Sequence, residues 1–205
     1  SLSGEMTKHG ARPCWLGYIG VDDLNAMLPQ LEAQGGKVLM PARDVEMAGR
    51  IAMVADCCGA PFYVMTPVPP PGQSAGDSGV FSAEPKNGRC GWNELMAGNQ
   101  ANALDFYSGL FGWTTDATPP MDMGPMGQYV FITHDGTDVG AIMQKTPDMP
   151  AAMWSHYFYV PSVSAAKAAA EEAGGTVING PMEVPGGQWI IQGTDPQGAM
   201  FAFND

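Results

Sequence analysis

Residues Val21 to Phe62 lie over Val160 to Phe201 without a gap, so the chain uses one motif at least twice. Val21 falls on Val160, Gly35-Gly36 on Gly174-Gly175 and Val38 on Val177. Val45 falls on Val184, Ile51 on Ile190, Asp56 on Asp195, Gly59-Ala60 on Gly198-Ala199, and Phe62 on Phe201. A constant offset over this length marks one supersecondary unit copied along the chain. Such a unit does not bury its apolar face alone, so its packing against a sister is the central structural question.

Each copy reads as strand, helix and three strands. In the first, Trp15 to Gly20 is a strand, Asp22-Asp23 cap a helix to about Gln34, and Gly35-Gly36 end it. Lys37 to Met40, Ile51 to Ala55 and Ala60 to Met65 complete the unit. The last copy runs from a strand at His156 to Val160, through a helix at Val163 to Ala173, to strands near Thr176, Gln188 and Ala199. A more divergent copy stands between them. Trp92 to Met96 is its first strand, and Asn99 caps a helix with Ala103, Phe106, Tyr107 and Leu110 on one side. Tyr129 to Thr133 and Val139 to Gln144 form a hairpin about Asp135-Gly136. The stretch between the first and middle copies is rich in Pro, Gly and Ser and reads as a linker. The expected divisions are a tail at 1–11, a single unit at 12–68, a linker at 69–87 and paired units at 88–205. On this reading the 12–68 unit is unpaired within the chain, and a homodimer would complete it.

Composition narrows the partners. The net charge is −12, and the nine Lys and Arg residues form no patch, so nucleic acid is not expected. No apolar run is long enough to cross a membrane, and the first residues lack a secretory pattern, so a cytoplasmic protein is expected. The four cysteines have no zinc spacing and read as reduced thiols.

Two segments carry a resemblance. One is Asn99-Gln100-Ala101-Asn102-Ala103-Leu104-Asp105-Phe106-Tyr107 followed by Leu110-Phe111-Gly112-Trp113. The other is the pair of turns Gly174-Gly175-Thr176-Val177 and Asp195-Pro196-Gln197-Gly198. Through these the chain resembles the glyoxalase / bleomycin-resistance / extradiol dioxygenase (vicinal oxygen chelate) superfamily. It closely resembles the four-unit, hydroxylase-named type, with most of the first βαβββ unit missing. The resemblance implies an α+β fold in which repeated βαβββ units pair into a partly closed mixed sheet with helices outside.

It also implies metal-ligand positions in the first and last strands of each unit. Carried over one by one, they fall on Leu16, Trp92 and Ser155 in first strands and on Tyr63, Met143 and Ala202 in last strands. None is a usual ligand for a hard or borderline metal, so no metal and no cofactor are expected. Strand alternation turns another set inward: Trp92, Glu94 and Met96, with Met143 beside them, and Ser155, Tyr157, Tyr159, Gln192 and Met200. His156, one step out of phase, faces the other way. An apolar, aromatic wall with a single carboxylate suits a small-molecule ligand. Glu94 is the candidate acid/base, with a structural hydrogen-bond acceptor as the competing role. The methionine-rich loop Pro119 to Gly127 is read as a lid or as core filler. Two functions therefore stay open: a metal-independent binding protein, or an enzyme of the lyase or dioxygenase kind working through Glu94 or an unrecognised metal site. A scaffold that has lost its site is a further alternative.

Overall fold

In the computed structural model, residues 12–68 and 79–205 are described; the expected 1–11 tail and most of the linker lie outside them. Three helices and twelve strands in mixed sheets occur among the described residues, and no sheet closes into a barrel. The first repeat is β1 (Tyr18–Gly20), α1 (Leu24–Ala33), β2 (Lys37–Val45), β3 (Gly49–Ala55) and β4 (Pro61–Pro67). The middle repeat is β5 (Cys90–Ala97), α2 (Gln100–Phe111), the short β6 (Met121–Asp122), β7 (Gln128–His134) and β8 (Thr137–Gln144). The third is β9 (Met153–Tyr159), α3 (Val163–Glu172), β10 (Thr176–Glu183), β11 (Trp189–Thr194) and β12 (Met200–Asn204). The order β-α-β-β-β recurs three times, as the α+β reading requires.

Local chemistry sets the boundaries. Each helix begins on a side-chain oxygen that takes an otherwise unpaired amide. Asp23 accepts from Asn25 and Ala26 at 2.9 and 3.1 Å, Asn99 from Asn102 at 3.0 Å, and Ser162 from Ala165 at 3.3 Å. The β7–β8 hairpin turns on Asp135 and Gly136 at φ 48° and 76°, the left-handed pair that a two-residue loop needs. The copied turns match atom for atom. Asp56 Oδ1 accepts from the amides of Cys58 and Ala60 at 2.8 and 2.9 Å. Asp195 Oδ1 accepts from Gln197 and Ala199 at 2.8 and 2.9 Å.

The chain divides into two compact units. The larger holds Leu16–Ala83 and Asn93–Trp154; the smaller holds Glu84–Trp92 and Ser155–Asp205, with residues 12–15. The division falls inside β5 and β9. In the larger unit the strand orders are β1-β4-β3-β2 and β5-β8-β7-β6; in the smaller it is β10-β11-β12-β9.

This corrects the expectation that the 12–68 unit stands unpaired. One core joins Leu24, Leu31, Val54, Phe62 and Val64 of the first repeat to Leu95, Phe106, Tyr107, Ile132 and Ile142 of the middle one. The reason is an aromatic and polar junction. The Phe62 ring lies 5.7 Å from Tyr107, and Trp113 stacks on Tyr107 at 5.4 Å and 10°. Trp154 meets Tyr107 edge-on at 5.3 Å. Aromatic rings carry large buried areas and prefer such offset or edge-on geometries. Within that cluster the Tyr107 hydroxyl donates to Asp56 Oδ2 at 3.2 Å and accepts from Trp154 Nε1 at 2.9 Å. Burial pushes the Asp56 carboxyl up, against the pull of the amides of Ala60, Cys58 and Gly59 and of the Tyr107 hydroxyl. Tyr107 is raised well above its usual value, first by burial and then by the Asp56 charge, so it stays a donor.

Tyr107→Phe removes the hydroxyl that Asp56 Oδ2 and Trp154 Nε1 share and should cost about 1–3 kcal/mol in urea unfolding. His156 is pressed by burial from the usual 6.5 down to about 4. Its neutral form is favoured in the fold, so stability is held above pH 6.5 and drains away as pH falls toward 4, by up to about 3 kcal/mol. His156→Gln should flatten the pH dependence of unfolding across that window. An unchanged slope would show that His156 does not titrate in this way.

Candidate functional site

In the larger unit, β5 alternates cleanly. Leu95 and Ala97 enter the core, which sends Glu94 and Met96 to the opposite face. Parallel pairing sets Glu94 beside Ala141 and Met96 beside Met143. Antiparallel pairing sets Phe131 beside Ala141. The same register puts Tyr129 on that face, where its hydroxyl donates to Glu94 Oε2 at 3.0 Å. Tyr129 and Phe131 meet edge to face at 5.5 Å. The result is a sheet face of Met96, Ala141, Met143, Tyr129 and Phe131 around one carboxylate. Met143 is buried, while Glu94 and Met96 are half-buried.

The methionine-rich loop joins this face. Met121 of β6 pairs with Tyr129, and a turn of 3-10 helix at Gly124–Met126 follows. The Asp122 carboxylate accepts from the Gly124 amide at 2.9 Å, and the Met123 amide donates to the Gly127 carbonyl at 2.8 Å. The loop is thus tied to the strand that carries Tyr129.

The remaining sequence candidates lie in the smaller unit: Trp92, Ser155, Tyr157, Tyr159, Gln192 and Met200. Here Ala202 pairs with Tyr157 on one side and with Gln192 on the other. Gln192 donates to the Tyr157 hydroxyl at 2.6 Å and accepts from Asn179 at 3.0 Å. Met200 faces Thr194 across β11 and β12 and is half-buried, as are Trp92 and Ser155. Tyr159 is buried; a Cβ added at Gly91 would collide with its ring. That close fit makes Tyr159 a packing residue within the smaller unit. His156 alternates with Ser155 and Tyr157, and its burial keeps it neutral at ordinary pH.

Sequence reasoning missed Tyr129, Phe131 and Asn179. The signal for the first two was the hairpin, but a register shift between Ile132 and Thr133 hides it. Counting back from Asp135-Gly136 without that shift places Tyr129 on the core side.

The superfamily's ligand positions carry Leu16, Trp92, Ser155, Tyr63, Met143 and Ala202, side chains that do not fit a hard or borderline cation. Among the described residues, no three His, Cys, Asp or Glu side chains form a metal-holding group. No helix of the described residues is long and apolar enough to cross a membrane.

Three βαβββ repeats with these turns define a superfamily, and the comparisons name it. The family model "Glyoxalase/Bleomycin resistance protein/Dioxygenase superfamily" matches residues 89–203, and the chain belongs to that superfamily. CFP32 of Mycobacterium tuberculosis, whose name carries a provisional glyoxylase assignment, is 33% identical over 196 residues, covering 94% of this chain and 70% of that protein. DnrV of Streptomyces peucetius, named as an anthracycline biosynthesis protein, is 32% identical over 197 residues, covering 95% of this chain and 66% of its own length. Among solved structures, a 2,2',3-trihydroxybiphenyl 1,2-dioxygenase from Sphingomonas wittichii superposes with a TM-score of 0.63 at 16% identity. That match covers 95% of this chain and 71% of the other. The Mn(II)-bound glyoxalase of Novosphingobium aromaticivorans superposes at 0.59 with 15% identity, over 91% and 61% of the two chains. At these identities the structural matches speak for the fold.

Proposed function

We propose that this chain binds a small apolar or aromatic molecule on the Glu94 face, without a metal ion of the superfamily's usual kind. The observation that carries this reading is the pairing of Glu94 with the Tyr129 hydroxyl on a face otherwise made of methionine, alanine and aromatic side chains. Apolar area supplies most of the binding free energy, and a few oriented polar groups select the ligand. Methionine fits flat or irregular ligands because its thioether is soft and unbranched. A carboxylate held by a phenol suits a ligand that presents a hydroxyl or N–H. The name of the relative DnrV, which refers to anthracycline biosynthesis, supports a polycyclic aromatic ligand.

The runner-up reading uses the same carboxylate as an acid/base in a lyase- or dioxygenase-like reaction. Its favouring observation is the half-buried position of Glu94 beside a second proton-bearing group, Tyr129.

A titration with a hydroxylated anthraquinone, followed by absorbance and tryptophan quenching, tests both. Wild type should bind one equivalent saturably. Glu94→Gln should weaken binding by about 10- to 150-fold, the worth of a hydrogen bond to a charged group. Met96→Lys should weaken it further by placing a charge on the apolar face. Binding unchanged in both variants would remove the Glu94 face from the reading. Retained affinity with lost turnover in Glu94→Gln would favour the enzyme.

We also propose that two copies of the chain associate through the Tyr18 face. Tyr18 stacks on Tyr63 at 4.5 Å and 9°, on the sheet face opposite Val64, and Tyr18 is 53% exposed. Sedimentation equilibrium should give a dimer that Tyr18→Glu converts to monomer. A wild-type monomer at tens of micromolar would end that proposal.

A further inference from the structure

The hydrogen bond from Tyr129 to Glu94 Oε2, 3.0 Å long, sets which protons the Glu94 face can exchange. A phenol has one proton to give, and Tyr129 gives it to the carboxylate. Toward a third group the pair therefore offers lone pairs, on the carboxylate and on the phenol oxygen. The side chains around it, Met96, Ala141, Met143 and Phe131, carry no hydrogen-bond donor. Amide donors on the adjoining strands and at the start of α2 are committed to main-chain carbonyls. Asn93 Nδ2 donates to Val139 at 2.8 Å, and Gln100 Nε2 donates to Gln128 and to Ile142, each at 2.7 Å. Gln144 Nε2 donates to Gly98 at 2.9 Å.

Charge points the same way. From Cys90 to Gln144 the chain holds Glu94, Asp105, Asp116, Asp122, Asp135 and Asp138 and neither lysine nor arginine. The histidine of that stretch, His134, ends β7 with its ring 3.7 Å from the Asp135 carboxylate. The first ammonium after it, Lys145, donates to the Met149 carbonyl at 2.8 Å. An anion that leaves water for this surface gives up its hydration and meets neither a donor nor a counter-charge. It meets a carboxylate, and like charges brought together at a binding face are costly.

We propose that the Glu94 face selects its ligand by charge. It takes a protonated donor, a neutral phenol or an amine, and rejects carboxylates, sulfonates, phosphates and phenolates. The selection rests on the Glu94 face being the binding site. Recognition and proton state are then one event, because a ligand hydroxyl donates to the pair only while it keeps its proton.

Probes on one ring system test this with the whole chain: the neutral dihydroxyanthraquinone quinizarin, its 2-sulfonamide and its 2-sulfonate. They are titrated below the pH at which their hydroxyls ionise. The sulfonamide matches the sulfonate in bulk and lacks its charge. Quinizarin and the sulfonamide should bind within about 5-fold of each other, and the sulfonate about 100-fold or more weaker. Glu94→Gln exchanges the anion for an amide with its own donors and should narrow the gap between sulfonamide and sulfonate by about tenfold or more. Lys145→Met should leave that gap as it is, and circular dichroism reports whether each variant folds. A sulfonate that binds as tightly as the sulfonamide would overturn charge selection while leaving the Glu94 face as the site. So would a sulfonamide as weak as the sulfonate, or an unchanged gap in folded Glu94→Gln. If quinizarin itself does not bind, the binding reading falls and the selection with it.

Discussion

The buried run from Asp56 through Tyr107 to Trp154 decides which surfaces of this chain can meet. A carboxylate at 3% exposure is costly to bury unless donors surround it. Two of its donors come from its own turn, which the fold supplies in any copy of the repeat. The third comes from α2 of a different repeat, and Trp154 Nε1 completes the tyrosine. The first and middle repeats therefore fit together in one arrangement: displacing α2 would strand a carboxylate, a phenol and an indole at once. The surrounding rings of Phe62, Phe106, Phe111 and Trp113 keep water from replacing those partners.

Most of the local architecture was legible because it depends on near neighbours in sequence. The Asp23 and Asn99 caps and the two Asp-x-x-Gly turns form where side chains reach amides two to four residues away, and the Asp-Gly hairpin turns on two adjacent left-handed residues. Which repeat packs on which was not legible, and the repeat itself explains why. Aligning the copies equates Asp56 with Asp195, and both turns make the same backbone bonds. Only their surroundings differ. The turn at Asp56 meets a tyrosine from elsewhere in the chain, and nothing in a ten-residue window around it announces that partner.

The candidate site shows the same division in miniature. Alternation along β5 is a short-range property, so Glu94 and Met96 could be assigned to one face from the sequence. Tyr129 required knowing a register across two strands and a hairpin. The irregularity at Ile132/Thr133 shifts that register by one residue, which exchanges the faces. In β9 the phase of alternation was readable, but the role of Tyr159 was not. Its burial comes from the space beside Gly91, a residue far away in sequence whose missing side chain is the feature that matters.

A βαβββ scaffold fixes which positions face together and leaves their chemistry free. Pairing rules bring residue 94 beside 141 and residue 202 beside 157 whatever side chains stand there. The backbone of a turn is equally indifferent, accepting Pro196-Gln197 in one copy and two thiols in another under the same aspartate clamp. Superfamily membership therefore establishes geometry here, while function follows from the occupants. Where a metal-using relative would need imidazole or carboxylate, this chain has indole, hydroxyl, thioether and methyl groups. On the Glu94 face, the oriented polar pair within the apolar surface is Glu94 with Tyr129, and the surrounding side chains are of the kind that grips carbon.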